Sequence, residues 1–198
     1  MVIDPLSIVS HFYSQEPELQ DLMLRHAFQV RAKARQILEF SGLELDCEVI
    51  SAGALLHDIG IIRCHAPGIL CKGELPYIAH GIAGAEMLRG YGQKLGIDLE
   101  RFARICERHT GSGLSAEDIR DQDLPLPLQD FMPETPEEIL ICLADKFFSK
   151  SGDMAEKSFD SVHRSMAKFG PASLDRFEQM CRLFRVDDSL PLLSEEIL

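Results

Sequence analysis

The chain has 198 residues, enough to bury one substantial core and short for two domains of ordinary size. Hydrophobic residues make up 45% and charged residues 26%, a globular balance that excludes disorder as the main state. The formal net charge of -12 works against binding to nucleic-acid polymers or anionic membrane surfaces, both polyanions, and favours a small soluble substrate.

The longest apolar run, Ile139 to Ala144, falls far short of the roughly 20 residues that span a bilayer. The opening stretch MVIDPLSIVSHFYSQ has no basic segment leading into an apolar one, so a cytoplasmic location is expected. Cys47, Cys64, Cys71, Cys106, Cys142 and Cys181 are scattered without a C-x-x-C pair, which predicts reduced and mostly buried thiols. Nothing here fixes the oligomeric state, and a homo-oligomer is left open.

A short helix is predicted over Asp4 to Ser14, with Pro5 in its first turn. From Pro17 to Phe40, apolar residues recur at spacings of three and four, giving a long amphipathic helix with Gly42 just beyond it. Asp46 caps a third helix that runs through His57 until Gly60 stops it. Residues 61 to 76, rich in Gly and Pro, read as an irregular loop able to form an active-site lid.

A helix resumes over Tyr77 to Tyr91, and Asp98 caps another that ends at His109. Ser115 and Asp118 form a weak capping box, and Leu124 to Pro133 reads as extended. Thr135, Pro136 and Glu138 make a strong helix start before ILICLADKFF, which contains Asp145. Two more helices are predicted over Ser158 to Phe169 and Pro171 to Arg185, and no period-2 strand of useful length appears, so the fold class is all-α.

Histidine and aspartate inside helices normally face water, yet His26, His57, Asp58, His80, His109 and Asp145 each lie on or beside an apolar stripe. His26 follows Met23 by three, His109 follows Ile105 by four, and Asp145 precedes Phe148 by three, so these side chains should point inward. Any one of them alone would read as an ordinary core or surface residue. Several converging on one core are best explained by a divalent cation that offsets their desolvation, with Mn, Fe, Zn or Mg as candidates. Cys64, His65 and Cys71 offer three donors where a structural zinc site wants four, so a separate zinc loop is not expected.

The order His, His-Asp, His, His, Asp between Leu24 and Lys146, with the string ALLHDIG, resembles the HD superfamily of metal-dependent phosphohydrolases. The segments AHGIAGAEML, ERHTGSGL and PETPEEILICLADK look more narrowly like a small HDIG-type prokaryotic family. The resemblance implies one HD domain over 1-198, with its motif region at about 24-150 and C-terminal helices in 151-198 packed against it. It also implies a metal site of His26, His57, Asp58 and Asp145, and a second cation on His80 and His109, with Asp58 bridging the two.

Many relatives carry lysine three residues after the aspartate of the HD pair, where this chain has Ile61, so that lysine's role cannot be carried over. Arg63, Arg108 and Lys146 are the basic candidates for neutralising a substrate's charge, and Arg63 and Lys146 join Asp58 as candidate catalytic residues. Thr110 is a candidate pocket residue, with Gly111 next to it equally explained as a helix cap. Paired cations can hold a phosphate ester and stabilise charge building on phosphorus, so hydrolysis of a nucleotide-like phosphorylated substrate is expected. The alternatives are a di-iron oxygenase with the same ligand order and a non-catalytic nucleotide-binding module.

Overall fold

The protein is described here from a computed structural model covering residues 4–193. Helix α1 (Pro5–Tyr13) starts where the Asp4 carboxylate accepts the Leu6 N–H, and Pro5 sits where its missing donor costs nothing. Helix α2 (Pro17–Ser41) is the longest, and it ends at Gly42 in the left-handed conformation that glycine adopts without strain. Its inner face buries Leu19, Met23, Ala27, Val30, Ala34 and Ile37, as its periodicity requires. The same face also buries Gln29 and Lys33, which periodicity does not foresee. Lys33 is accommodated because its ammonium lies 2.5 Å from Glu156 and 3.1 Å from the Pro191 carbonyl.

Helix α3 (Cys47–Leu56) is capped by Asp46, which accepts from the N–H groups of Glu48 and Val49. It ends earlier than the sequence suggests, and His57 is its C-cap. The His57 ring donates to the Ala54 carbonyl at 2.7 Å, the group that a continuing helix would give to the amide of residue 58. The chain then tightens into a 3₁₀ turn, Ile59–Arg63. Gly60 is therefore inside that turn and is no helix stop. Glycine is needed there for closeness, because a Cβ would overlap the His80 carbonyl and the Gly84 backbone.

The expected irregular loop over 61 to 76 is more ordered than its composition suggests. Strands β1 (His65–Ala66) and β2 (Cys71–Lys72) pair antiparallel, with His65 opposite Lys72 and Ala66 opposite Cys71. The hairpin is tied down by His65 N–H to the Leu75 carbonyl and Gly73 N–H to the Cys64 carbonyl, both 2.8 Å, while the Cys64 and Cys71 side chains are buried. Strands of two residues are too short to leave an alternating pattern.

A second 3₁₀ turn, Tyr77–Ala79, leads into α4 (His80–Leu95), which packs along α5 (Glu100–Arg108). The capping boxes of α6 (Ala116–Asp121) and α7 (Pro136–Asp145) form as predicted from Ser115 with Asp118 and Thr135 with Glu138. Helix α7 packs against α2, α3 and α5, and α9 (Pro171–Phe184), with α8 (Phe159–Ala167) beside it, covers α7 and α2. The described residues share one hydrophobic cluster drawn from α1 to α9 apart from α6. Residues 1–3, at the head of the N-terminal reading, and 194–198, at the end of the expected C-terminal segment, lie outside the described residues. Among the described residues no helix is long and apolar enough to cross a membrane.

The close crossing at Gly60 generates a contrast that denaturation can read. Gly60→Ala should cost about 1–3 kcal/mol of stability, because the added methyl meets backbone that cannot rotate away. Gly90→Ala, in the open on α4, should instead gain about 0.5–1 kcal/mol. Chemical-denaturation midpoints of the two variants should move in opposite directions, and an unshifted midpoint for Gly60→Ala would contradict the crossing.

Candidate metal centre

The elements bring their ends to one place. His26 comes from the middle of α2, His57 caps α3, Asp58 follows it, His80 opens α4, His109 caps α5, and Asp145 closes α7. All but Asp145 are almost completely buried. Among the described residues, donors close enough to share a cation fall into two groups: His26, His57, Asp58 and Asp145, and Asp58, His80 and His109. Asp58 belongs to both.

Ring orientation follows from hydrogen bonds at the helix ends. His57, His80 and His109 each place Nδ1 2.7 Å from the carbonyl three residues earlier, on Ala54, Tyr77 and Cys106. A carbonyl only accepts, so Nδ1 carries the proton and Nε2 turns a lone pair inward when the ring is neutral. This is the tautomer in which a histidine binds metal through Nε2 while its other nitrogen is held by an outer partner.

The inward faces are crowded with acceptors. His26 Nε2 lies 2.9 Å from Asp145 Oδ1 and 3.1 Å from Asp58 Oδ2, and His57 Nε2 lies 2.9 Å from Asp58 Oδ2. The Nε2 atoms of His80 and His109 face each other at 3.0 Å, each 3.5 Å from Asp58 Oδ1. That spacing lets both nitrogens reach one cation, since imidazole nitrogens bind zinc at about 2.0–2.1 Å. Despite these short contacts, both Asp58 oxygens and His57 Nε2 are buried without a well-aligned hydrogen bond.

Electrostatics separate the two groups. Burial pulls the His57 pKa down, but Asp58 and Asp145 outweigh it and hold the ring at about 9. Burial and the neighbouring His109 instead push His80 down to about 3, and burial likewise lowers His109. The His80 and His109 lone pairs therefore meet with no proton between them, an arrangement that a cation relieves. Burial works to raise the Asp58 carboxyl, yet His57 and Lys150 keep it well below the usual carboxylate range. The donor set, two carboxylates and four imidazoles, fits divalent transition metals.

The basic candidates separate as well. Lys146 is at the site, with its ammonium 2.8 Å from Asp145 Oδ2 and 3.1 Å from the His109 carbonyl. Arg63 is half exposed and pairs with Glu86 at 3.1 Å. Arg108 is held at 2.7 Å by both Glu134 and the Met132 carbonyl. Thr110 is half-buried, its hydroxyl facing α4 near Gly81. Cys64, His65 and Cys71 enter no cation-sized group among the described residues.

Sequence reasoning missed Lys150, whose ammonium lies 2.5 Å from Asp58 Oδ2 with its side chain largely buried. The available signal was weak. Lys150 follows Lys146 by four, but the chain has left α7 by then, so helical spacing does not place it.

The sequence model of the HD domain matches residues 23–149, a span that holds all the residues of both groups. A tRNA (cytidine(56)-2'-O)-methyltransferase of Picrophilus torridus is 39% identical over 129 residues, which are 65% of this chain and 32% of that protein. The chain thus spans about a third of the length of that relative. An uncharacterized protein of Methanocaldococcus jannaschii is 35% identical over 143 residues, 71% of this chain and 70% of the relative. The solved HD domain of the L. monocytogenes phosphodiesterase PgpH, in complex with cyclic-di-AMP, superposes with a TM-score of 0.49 at 14% identity, covering 96% of this chain and 90% of that one. With the family match spanning most of the chain and every donor of the two groups, the chain belongs to the HD-domain family.

Proposed function

We propose that the chain is a metal-dependent phosphohydrolase that uses two divalent cations to cleave a phosphate ester or anhydride in a small, nucleotide-like substrate. The observation that supports this most directly is the sharing of Asp58 between two donor groups, one of which sets two lone-pair nitrogens 3.0 Å apart. When bound, such cations supply an activated water and neutralise charge developing on phosphorus.

The residues divide the remaining work. His26, His57 and Asp145 would hold one cation and His80 with His109 the other, while Asp58 offers one oxygen to each side. Lys146 positions Asp145 by pairing with its outer oxygen and tethers it to the His109 carbonyl, which links the two groups mechanically. Arg63 and Arg108 are committed to Glu86 and Glu134, so their part in neutralising substrate requires those pairs to open. Thr110 remains the neutral candidate for contact with substrate.

Metal analysis should find two divalent ions per chain in protein purified anaerobically and reloaded with Mn or Fe. His80→Ala and His109→Ala should each lower that count towards one with an unchanged circular dichroism spectrum. Two ions in both variants would remove the binuclear reading.

Against a panel of phosphomonoesters, phosphodiesters and nucleotides, the reloaded protein should release product without consuming oxygen and lose activity on chelation. Asp58→Ala should reduce the rate more than His80→Ala, since a shared carboxylate touches both sites and a terminal imidazole only one. Oxygen uptake stoichiometric with an organic product, with every phosphate ester intact, would replace the hydrolase reading by the di-iron oxygenase. Ligand binding without any turnover would leave the non-catalytic module.

A further inference from the structure

The phosphohydrolase reading leaves the charge of the substrate's phosphoryl group without a basic residue placed at the centre to meet it. Arg63 and Arg108 are paired with carboxylates outside the site, and Lys146 is fixed between Asp145 and the His109 carbonyl. Lys150 differs from all three. Its ammonium is aimed at the oxygen on which the first donor group converges: Asp58 Oδ2 lies 2.9 Å from His57 Nε2, 3.1 Å from His26 Nε2 and 2.5 Å from Lys150 Nζ. An ammonium and a divalent cation on that oxygen would repel each other, more strongly in a buried site than in water. A cation held by His26, His57 and Asp58 would therefore compete with Lys150 for it.

Lys150 lies in the irregular connection between α7 and α8, not inside either helix. That connection is anchored on both flanks. Lys157 N–H bonds the Phe147 carbonyl at 2.8 Å and its ammonium bonds the Phe148 carbonyl at 2.6 Å, while the buried Met154 carbonyl accepts from Gln29 at 2.9 Å. Displacement would therefore move the Lys150 side chain while its backbone stays in place.

Tyr77 supplies the second half of the arrangement. Its ring stacks on His80 with centroids 4.8 Å apart and planes at 17°, and its hydroxyl neighbours the Lys150 ammonium. A phenol is un-ionised at neutral pH, so its O–H can donate. An ammonium and a neutral phenol placed beside the cation cluster form a donor pair suited to a phosphoryl oxygen.

We propose that Lys150 is an exchangeable counter-charge and phosphate-recognition residue: it covers Asp58 Oδ2 until a cation takes that oxygen, and then passes with the Tyr77 hydroxyl to a phosphoryl oxygen of the substrate. This rests on the phosphohydrolase reading and adds a specificity element to it. It also makes Lys150 a competitor of metal and a partner of phosphate, two roles that respond to substitution with opposite signs. A lysine that merely braces the fold would not separate them.

The test is calorimetric titration of the full chain with Mn²⁺, followed by inorganic phosphate on the Mn-loaded protein. Lys150→Met, close to isosteric, should bind Mn²⁺ at least as tightly as wild type and bind phosphate about 10- to 100-fold more weakly, the loss of a charge-assisted hydrogen bond. Tyr77→Phe keeps the stacked ring, so it should leave Mn²⁺ binding unchanged and weaken phosphate a few-fold. This variant carries the test if Lys150→Met fails to fold. Weaker Mn²⁺ binding in Lys150→Met, or phosphate affinity within about twofold of wild type in a folded variant, overturns the inference while the phosphohydrolase reading stands. A Mn-loaded wild type that binds no phosphate overturns both.

Discussion

The arrangement turns on one buried carboxylate. Asp58 is wholly removed from solvent and yet held in its charged form. Moving a carboxylate out of water carries an effective penalty of several kcal/mol unless positive charge and hydrogen-bond donors surround it. Everything placed around Asp58 answers that requirement. Histidines from α2, α3, α4 and α5 and an ammonium from the connection after α7 meet on its two oxygens. The same surroundings that would be repulsive as bare lone pairs become favourable once cations lie among them.

The geometry is achieved with helix ends. The last carbonyls of a helix have no internal partner, and an imidazole three residues on can satisfy one of them with Nδ1–H. His57 and His109 do this on α3 and α5, and His80 does it on the 3₁₀ turn before α4. One hydrogen bond thereby ends the regular helix, fixes the tautomer and aims Nε2 at the centre. Gly60 completes the assembly by letting the turn after Asp58 lie directly on the start of α4, which brings Asp58 within 3.5 Å of His80. Stability and site geometry thus share the same contacts.

Charge is distributed unevenly between the site and the rest of the molecule. The chain is strongly acidic overall, which disfavours the approach of an anion, whereas Lys146 and Lys150 concentrate positive charge at the centre. The arginines near the site in sequence serve another purpose. Arg104 pairs with Glu134 and Glu138 while Arg108 pairs with Glu134, which ties α5 to the start of α7 and holds in register the helices that deliver His109 and Asp145.

Periodicity and capping chemistry are local properties, and for that reason the sequence alone determined the all-α class, the long α2 and the capping boxes of α6 and α7. The His-Asp pattern is also linear, so the residues that converge at the centre could be named before any coordinates. Three features were decided only by tertiary structure. Where α3 ends depends on a ring turning back to Ala54, and Gly60 owes its place to a contact with α4 at least twenty residues away in the chain. The choice among basic residues depended on which carboxylate each could reach. Arg63 and Arg108 find glutamates outside the centre, and Lys150, placed by no periodic element, finds Asp58. An ion pair is set by distance in space, and in an irregular segment sequence spacing carries no information about that distance.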